Sequence, residues 1–278
     1  MGPVEKAVWF VESHTRGPIG LDDVAKACHV SPYHMTRAFA ATTGLSLMRY
    51  VRGRRLTEAA RRLADGAKDI FAVAMDAGYG SHEAFTRAFR DHFGLTPEQL
   101  RAQGNVEGIS LTEAIAMTTT ETVALDPPRF ETAPARHYVG IVQRYNCEAP
   151  TGIPDQWQRF GPNMWRLAPV DKAAYGICNN FNGEGDFDYM CAVQVAADAK
   201  VPEGMTLLKV PETRFAVFRH KGHVAGIKGT MAAIFSRAIP ESGLKLVEGP
   251  TIERYGPEFN AMTGLGGFEV WVPIEGTP

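Results

Sequence analysis

Two short stretches in the first hundred residues have side chains that can recognise base edges. Thr-Arg-Ala-Phe occurs at residues 36–39 and again at residues 86–89. Arginine can bind guanine through two hydrogen bonds, and threonine can contact a thymine methyl group or a polar base edge. Glu83 adds an acceptor that suits the amino group of cytosine. These residue types predict a surface that reads a nucleic acid, provided that both copies lie on helices that present them.

Helix signals frame both copies of the repeat. Ser31 and Ser81 precede the copies as N-cap residues, and Gly44 and Gly94 follow them as helix ends. The spacing predicts a helix, a tight turn and a second helix in each copy, with a longer helix over about residues 46–65 between them. A helix–turn–helix unit of this kind places its second helix in a DNA major groove.

The periodicity gives each second helix an inner and an outer face. Met35 and Phe39 of the first copy, and Phe85 and Phe89 of the second, stand four residues apart and are predicted to be buried. The other faces carry polar residues near the helix N-termini, where recognition helices contact bases. The outward residues predicted to contact DNA are Tyr33, Thr36 and Arg37 in the first copy and His82, Glu83, Thr86 and Arg87 in the second.

The charge balance differs between the two parts of the chain. Residues 1–104 carry 14 Lys and Arg against 11 Asp and Glu, whereas residues 105–278 carry 15 against 20. Six arginines and one glutamate lie between Arg49 and Arg62. A mildly basic part joined to an acidic part predicts two tasks, the first of them with a polyanion.

Composition excludes several classes of protein. The hydrophobic fraction of 45% and the charged fraction of 22% are those of a globular protein, and no apolar run approaches the roughly 20 residues that span a membrane. The N-terminal stretch has charges within its apolar residues, so a signal peptide is not expected. The four cysteines form no CxxC pair, which predicts a cytoplasmic location. His220-x-x-His223 lacks a third ligand, so we expect a surface turn there, with neither a metal nor another cofactor.

The stretch from Gly78 to Pro97 reads G-Y-G-S-x-x-x-F-x-R-x-F-x-x-x-x-G-x-T-P. It resembles the signature of the AraC/XylS family of bacterial transcription regulators, and the resemblance extends over about residues 4–103. The resemblance implies seven helices whose two helix–turn–helix units enter successive major grooves of promoter DNA at the nucleoid, with RNA polymerase as a further partner. It also implies phosphate contacts from arginines such as Arg49, Arg52 and Arg90.

Beyond residue 106 the helical period gives way to alternation. Residues 107–120 have little periodicity and are predicted to link a domain over residues 1–106 to a domain over residues 121–278. Four stretches downstream alternate as strands do, and two amphipathic helices lie between them. The order strand, helix, strand, strand occurs twice. This doubling predicts a pseudo-symmetric α+β domain with two half-sheets that face each other across a groove.

Glu253 lies in the alternating run TIERYGPEF, beside aromatic residues. A carboxylate next to aromatic rings is a natural receptor for a desolvated organic cation. This part of the chain is rich in aromatic residues, Phe181 and Tyr189 among them, which either form core or line a pocket for a flat or cationic ligand. The residues predicted to bind a small-molecule effector are Glu253, Tyr255, Trp271, Trp157, Tyr138, Tyr175 and Phe218.

The second part of the chain also resembles the GyrI-like small-molecule-binding domains, over about residues 121–275. The resemblance rests on RFAVFRHKGH, the helix MAAIFSRAIPESGLKL, the run EGPTIERYGPEF and the closing FEVWVPI. It implies a pocket of the multidrug type, in which Glu253 matches the acidic position of the pattern P-x-x-E-x-Y. An AraC-type reader followed by such a domain is similar to the Rob-like group of regulators.

Two other functions fit the same residues. Some GyrI-like domains act as hydrolases of small electrophiles, and Glu253 with Tyr255 or Tyr175 could supply a general base and an orienting phenol. The domain could instead act by binding another protein. The expected function is a DNA-binding regulator with an aromatic or cationic effector, and not an enzyme.

Overall fold

The computed structural model describes residues 2–15, 17–116 and 123–276. The predicted start of the second domain at residue 121 therefore lies outside the described residues. Within these ranges, none of the helices has the length and apolar character that a membrane span requires.

The chain folds into two compact units, one helical and one built around a sheet. The first unit contains residues 1–35 and 46–120, and the second contains residues 36–45 and 121–278. The first turn of helix Pro32–Thr43 thus belongs to the helical unit, and the rest of the helix, from Thr36 on, belongs to the sheet unit.

Helices account for most of the described residues up to 103, as the periodicity predicted. Their apolar faces form a core in which Phe85 and Phe89 are fully buried, together with Leu56 and Leu63. In chain order the helices are α1 (Pro3–Ser13), α2 (Leu21–Ala27), α3 (Pro32–Thr43), α4 (Leu47–Ala64), α5 (Ile70–Asp76), α6 (His82–Phe93) and α7 (Pro97–Gln103).

Local signals in the sequence set the ends of these helices. The Ser81 Oγ accepts a hydrogen bond from the backbone N–H of Ala84 at 3.1 Å, which satisfies one of the free donors at the start of α6. Gly94 ends the same helix with φ at 79°, a left-handed conformation that glycine adopts without steric cost. Thr96 and Gln99 then form a reciprocal capping box at the start of α7.

The described part of the predicted linker, residues 107–116, is held against α4. The backbone N–H of Thr112 donates to Oγ1 of Thr57 at 2.9 Å, and Nη1 of Arg54 donates to the Thr112 carbonyl at 2.9 Å. Gly53 makes this approach possible, because a Cβ there would lie 2.4 Å from the Thr112 Oγ1. The segment lies along the surface of α4 and forms neither a helix nor a strand. Its sequence therefore shows no helical or strand periodicity.

The second unit contains one antiparallel sheet with helices on its face. Its strands are β1 (Arg129–Ala133), β2 (Arg136–Asn146), β3 (Ala174–Asn179), β4 (Asp186–Val195), β5 (Thr206–Val210), β6 (Thr213–His220), β7 (Thr251–Tyr255) and β8 (Phe268–Ile274). Helix α8 (Ile153–Phe160) continues as a 3-10 helix over Gly161–Leu167, and α9 (Ile227–Ala233) continues through a π-helical turn over Ile234–Ala238 into α10 (Ile239–Ser242).

The strand order confirms the predicted doubling. The order is β1-β6-β8-β7-β3-β4-β2-β5, so the strands of the first half and those of the second half occur in matching positions on either side of the β7–β3 pair. The halves join edge to edge, with Gly176 of β3 opposite Glu253 of β7, and form a single sheet.

Alternation along β7 decides which side chains share a face of the sheet. Ile252 packs with the cluster that includes Tyr138, Tyr175 and Trp271. Thr251, Glu253 and Tyr255 point to the opposite face, because successive side chains of a strand alternate. That second face carries the cluster around Tyr189 and Phe160, against which Trp157 and Phe181 pack.

Candidate functional site

Glu253 is a buried carboxylate that two tyrosine hydroxyls hold in place. Its Oε2 accepts hydrogen bonds from the hydroxyl of Tyr189 at 2.8 Å and from that of Tyr255 at 2.8 Å. Only 6% of Glu253 is exposed. Carboxylates are rarely buried in this way unless they are paired or have a function.

Trp157 extends this hydrogen-bonded group from helix α8. Its Nε1 donates to the hydroxyl of Tyr189 at 3.1 Å, and its ring lies 5.6 Å from the ring of Tyr255 in an edge-to-face arrangement. The hydroxyl of Tyr189 thus accepts from Trp157 and donates to Glu253. This chain fixes the orientation of the carboxylate and surrounds it with aromatic rings.

Burial raises the pKa of the Glu253 carboxyl above its ordinary value, while the hydrogen bonds from Tyr189 and Tyr255 and the charge of Arg37 act in the opposite direction. Burial also raises the pKa of both tyrosine hydroxyls, and the nearby Glu253 charge adds to that effect. The tyrosines therefore stay protonated and act as donors at neutral pH.

The absence of a side chain at Gly176 is a requirement of this geometry. A Cβ at that position of β3 would lie 2.2 Å from the Tyr189 hydroxyl oxygen and 2.6 Å from Oε2 of Glu253. Both distances are far inside van der Waals contact, so only glycine allows the carboxylate and the phenol to meet over the strand.

Arg37 is buried, with only 5% of it exposed. The prediction that this side chain faces outward is therefore wrong. Its guanidinium carbon lies 3.8 Å from the centroid of the Phe181 ring and 4.7 Å from that of Phe235. Its Nη2 donates to Oγ1 of Thr251 at 2.9 Å. We call Phe181, Phe235, Thr251 and Glu253 the cation cage. Helical periodicity could not reveal these contacts, because Arg37 and Thr251 are 214 residues apart in the chain.

Three of the predicted effector residues lie away from Glu253. Tyr138, Tyr175 and Trp271 are buried on the opposite face of the sheet, so they do not line a pocket with Glu253. The Tyr175 hydroxyl instead donates to Asp171 at 2.6 Å. Phe218 lies on the Glu253 side of the sheet by its register with β8, but it is fully buried in the core.

Three of the predicted DNA-contacting residues of α6, Glu83, Arg87 and Arg90, lie on its accessible face. Phe85 and Phe89 point inward, while Glu83 and Arg87 are exposed. His82 is half-buried, with its Nε2 3.2 Å from a carboxylate oxygen of Glu98. Among the remaining predicted contacts, Arg49 and Arg90 are exposed, whereas Tyr33, Thr36 and Thr86 are half-buried. The Thr86 hydroxyl is buried and makes no hydrogen bond with any of the described residues.

The histidine pair is not the surface turn that the spacing predicted. His223 is exposed, but His220 is buried at the end of β6. Its Nδ1 lies 2.8 Å from Oγ1 of Thr230 and its Nε2 lies 3.0 Å from the His223 carbonyl oxygen. Both ring nitrogens therefore hold neighbouring segments together.

Known proteins are similar to this chain in both units. Residues 126–275 match the GyrI-like small molecule binding domain, and residues 24–103 match a helix-turn-helix domain. The regulatory protein SoxS of Salmonella typhimurium is 36% identical over 98 residues, which are 35% of this chain and 92% of that protein. The chain belongs to the AraC/XylS family and carries a GyrI-like domain.

Similarity to one known protein extends over nearly the whole chain, and a solved structure is similar to about half of it. The Right origin-binding protein of Escherichia coli K12 is 25% identical over 277 residues, which cover 95% of this chain and 93% of that protein. The solved structure of SAV2435 bound to tetraphenylphosphonium is 19% identical and covers 54% of this chain and 94% of its own, with a TM-score of 0.45.

Four residues around Glu253 and Arg37 in the GyrI-like domain were not predicted from the sequence as part of the effector site. Tyr189 and Phe181 were noted only as part of the aromatic content, and Phe235 and Thr251 were not singled out at all. Alternation in TIERY places Thr251 on the Glu253 face, which is a usable signal. The pairing of β3 with β4 and β7 places Tyr189 there too, but that register joins distant segments.

Proposed function

We propose that this chain regulates transcription by binding promoter DNA through its AraC-type helices and an aromatic organic cation through its GyrI-like domain. The observation that carries the effector proposal is the buried Glu253 carboxylate, fixed by Tyr189 and Tyr255 inside a group of aromatic rings. Relatives over the whole chain include a protein named transcriptional regulator Rob, which is 24% identical over 274 residues.

The charge and the aromatic surroundings of the site favour a cation over a neutral or anionic ligand. A carboxylate that has lost most of its water gains from a cation that brings little water of its own. Aromatic faces attract the same ligand, and their contribution grows when the cation is desolvated. Strongly hydrated inorganic cations gain less from the rings than organic ones do. The preferred ligand is therefore an organic cation with an apolar body.

The exposure of α6 supports the proposed DNA contacts. Glu83 and Arg87 present an acceptor and a forked donor from the first turns of an exposed helix. We propose that Arg49 and Arg90 contact phosphates, which position the helix without reading sequence. We propose that residues 1–106 form the DNA-binding domain, residues 107–120 the linker and residues 121–278 the effector domain. We also propose that the protein contacts RNA polymerase and acts at promoters in the cytoplasmic nucleoid.

We favour binding over catalysis for the Glu253 site. The two hydroxyls that contact Glu253 belong to tyrosines of raised pKa, which hold the carboxylate by donating to it. A hydrolase would need the same carboxylate to activate a water molecule beside an electrophile. The neighbouring rings and the fixed carboxylate suit a persistent cation better than a passing electrophile.

The affinity for an aromatic cation is expected to fall as the pH is lowered. The cation binds the Glu253 carboxylate, and protonation of that group competes with binding. Because burial raises the pKa of Glu253, this loss begins above the ordinary carboxyl range and approaches about tenfold per pH unit below that pKa. Calorimetric titration of the full chain with benzyltrimethylammonium at a series of pH values measures the slope.

The neutral isostere neopentylbenzene is the matched control, because it has the same shape without the charge. Its affinity is expected to be weaker and to be independent of pH. Equal affinity for the cation and the isostere, or a flat pH profile for the cation, would contradict the proposed role of Glu253.

A further inference from the structure

The cation cage already contains a cation, the guanidinium group of Arg37. The group lies over the ring of Phe181 and beside that of Phe235, at 3.8 and 4.7 Å from their centroids. Arginine commonly stacks on aromatic faces in this way. Residues 36–45, which include Arg37 and most of α3, belong to the same compact unit as the cage, so these contacts lie within one unit.

The remaining contacts of Arg37 are those that an external cation would make. The Thr251 hydroxyl accepts from Nη2, and Glu253 lies two residues further along the same face of β7, near enough for the charge of Arg37 to affect it. Rings on the sides, an acceptor and a carboxylate together make a receptor for an organic cation.

Arg37 fills this receptor incompletely. Its Nη1 is buried and makes no hydrogen bond with any of the described residues. A buried guanidinium N–H without an acceptor forfeits the hydrogen bond that it makes in water. A free cation without such a donor, or one that can shift to satisfy it, therefore has an advantage over the tethered side chain.

We propose that Arg37 is the resident occupant of the cation cage and that the effector, an aromatic organic cation, binds by displacing it. This inference rests on the proposed function of the Glu253 site and adds how that site is regulated. The same side chain is a predicted DNA contact. One guanidinium group cannot lie between Phe181 and Phe235 and also reach a base edge, so effector binding makes Arg37 available to DNA.

The competition has a measurable consequence for effector affinity. When a ligand must displace an intramolecular competitor, its apparent affinity is its affinity for the open cage multiplied by the fraction of molecules in which the cage is open. A tethered side chain acts at a high effective concentration, so the expected penalty is on the order of tenfold. Removing the competitor should remove that penalty.

The experiment is a calorimetric titration of the full chain with benzyltrimethylammonium. The expected result is that Arg37→Ala binds this cation about tenfold more tightly than the wild type. Thr251→Val removes the acceptor of Nη2 while keeping the volume of the side chain, and it should tighten binding by about two- to fivefold. Benzyltrimethylammonium has no N–H group, so it loses nothing when the Thr251 hydroxyl is removed.

Thr230→Val is the matched control for the second variant. Thr230 is an equally buried threonine whose hydroxyl contacts His220 outside the cage, so its replacement should leave cation affinity within about twofold of the wild type. A second probe, benzylguanidine, should bind Arg37→Ala at least about tenfold more tightly than the wild type, because it supplies the group that the variant lacks.

The outcomes separate this inference from the proposed function. Wild-type affinity in both Arg37→Ala and Thr251→Val, with binding still dependent on Glu253, overturns the competition while leaving the effector site intact. If neither cation binds the wild type or Arg37→Ala, the proposed effector function itself fails. Should Arg37→Ala prove unfolded in a thermal melt, the comparison of Thr251→Val with Thr230→Val decides.

Discussion

Glu253→Gln is expected to lower the affinity of the full chain for benzyltrimethylammonium at least about 30-fold, which corresponds to about 2 kcal/mol. Glutamine keeps the size of the side chain and an oxygen that can accept from Tyr189 and Tyr255. It removes the charge that attracts the cation in a site shielded from water. Isothermal titration calorimetry on both proteins measures the difference.

The loss should be specific to this carboxylate. Glu269 is a partly buried carboxylate on the other face of the sheet, where it pairs with Arg129 and accepts from Trp271. Glu269→Gln is therefore the matched control, and its cation affinity is expected to stay within about twofold of the wild type. Glu253→Gln should also fold, because glutamine keeps the shape of the side chain and the oxygen that accepts from Tyr189 and Tyr255. An affinity within threefold of the wild type in folded Glu253→Gln would contradict the site.

Arg87→Ala is expected to weaken binding to the operator by about 1–3 kcal/mol and to relax sequence preference at one base pair. Arg87 extends from the exposed face of α6, while Phe85 and Phe89 fix that helix from below. In the proposed contact, removal of the guanidinium leaves a base edge without a donor. Fluorescence anisotropy with duplexes that the protein selects from a random pool measures both the affinity and the preference.

Two further substitutions separate base reading from general electrostatics. Arg90→Ala should weaken all duplexes to a similar extent and reduce the slope of log affinity against log salt by about 1, as loss of a phosphate contact does. Lys68→Ala removes a positive charge from an exposed position outside the predicted contacts and should have little effect. An unchanged footprint for Arg87→Ala would contradict the placement of α6 in the major groove.

The helical unit could be predicted closely because its signals are local. Ser81, Gly94 and Thr96 act within four residues of themselves, and the spacing of Phe85 and Phe89 requires only one helix to interpret. The helix predicted over about residues 46–65 is observed over Leu47–Ala64. Such features need no knowledge of the partner surface.

The sheet and the effector site were less predictable because they depend on distant pairings. The sequences of strands β1, β3 and β5 do not alternate strongly between apolar and polar residues. These segments form strands because they pair with strands from other parts of the chain. Aromatic content alone could not separate Trp157, which lies beside Glu253, from Trp271 on the opposite face. That distinction needs the register of β7 against β3 and β8.

Arg37 shows the same limit at a single residue. The repeat in the sequence treats Arg37 and Arg87 alike, and their helices share a serine at the N-terminus and a buried phenylalanine two residues after the arginine. Only the contacts of α3 with residues far along the chain bury Arg37, whereas Arg87 remains exposed. Similar local sequences thus take different environments when their tertiary partners differ.

The most direct test of the account is the affinity of the full chain for its selected DNA duplex, measured with and without saturating benzyltrimethylammonium. A ligand changes DNA affinity only if it binds the two states of the protein differently, and displacement of Arg37 provides such a difference. The account predicts tighter DNA binding by the wild type when the cation is present, and no change in Glu253→Gln at the same concentration. Identical DNA affinity of the wild type with and without bound cation would contradict it.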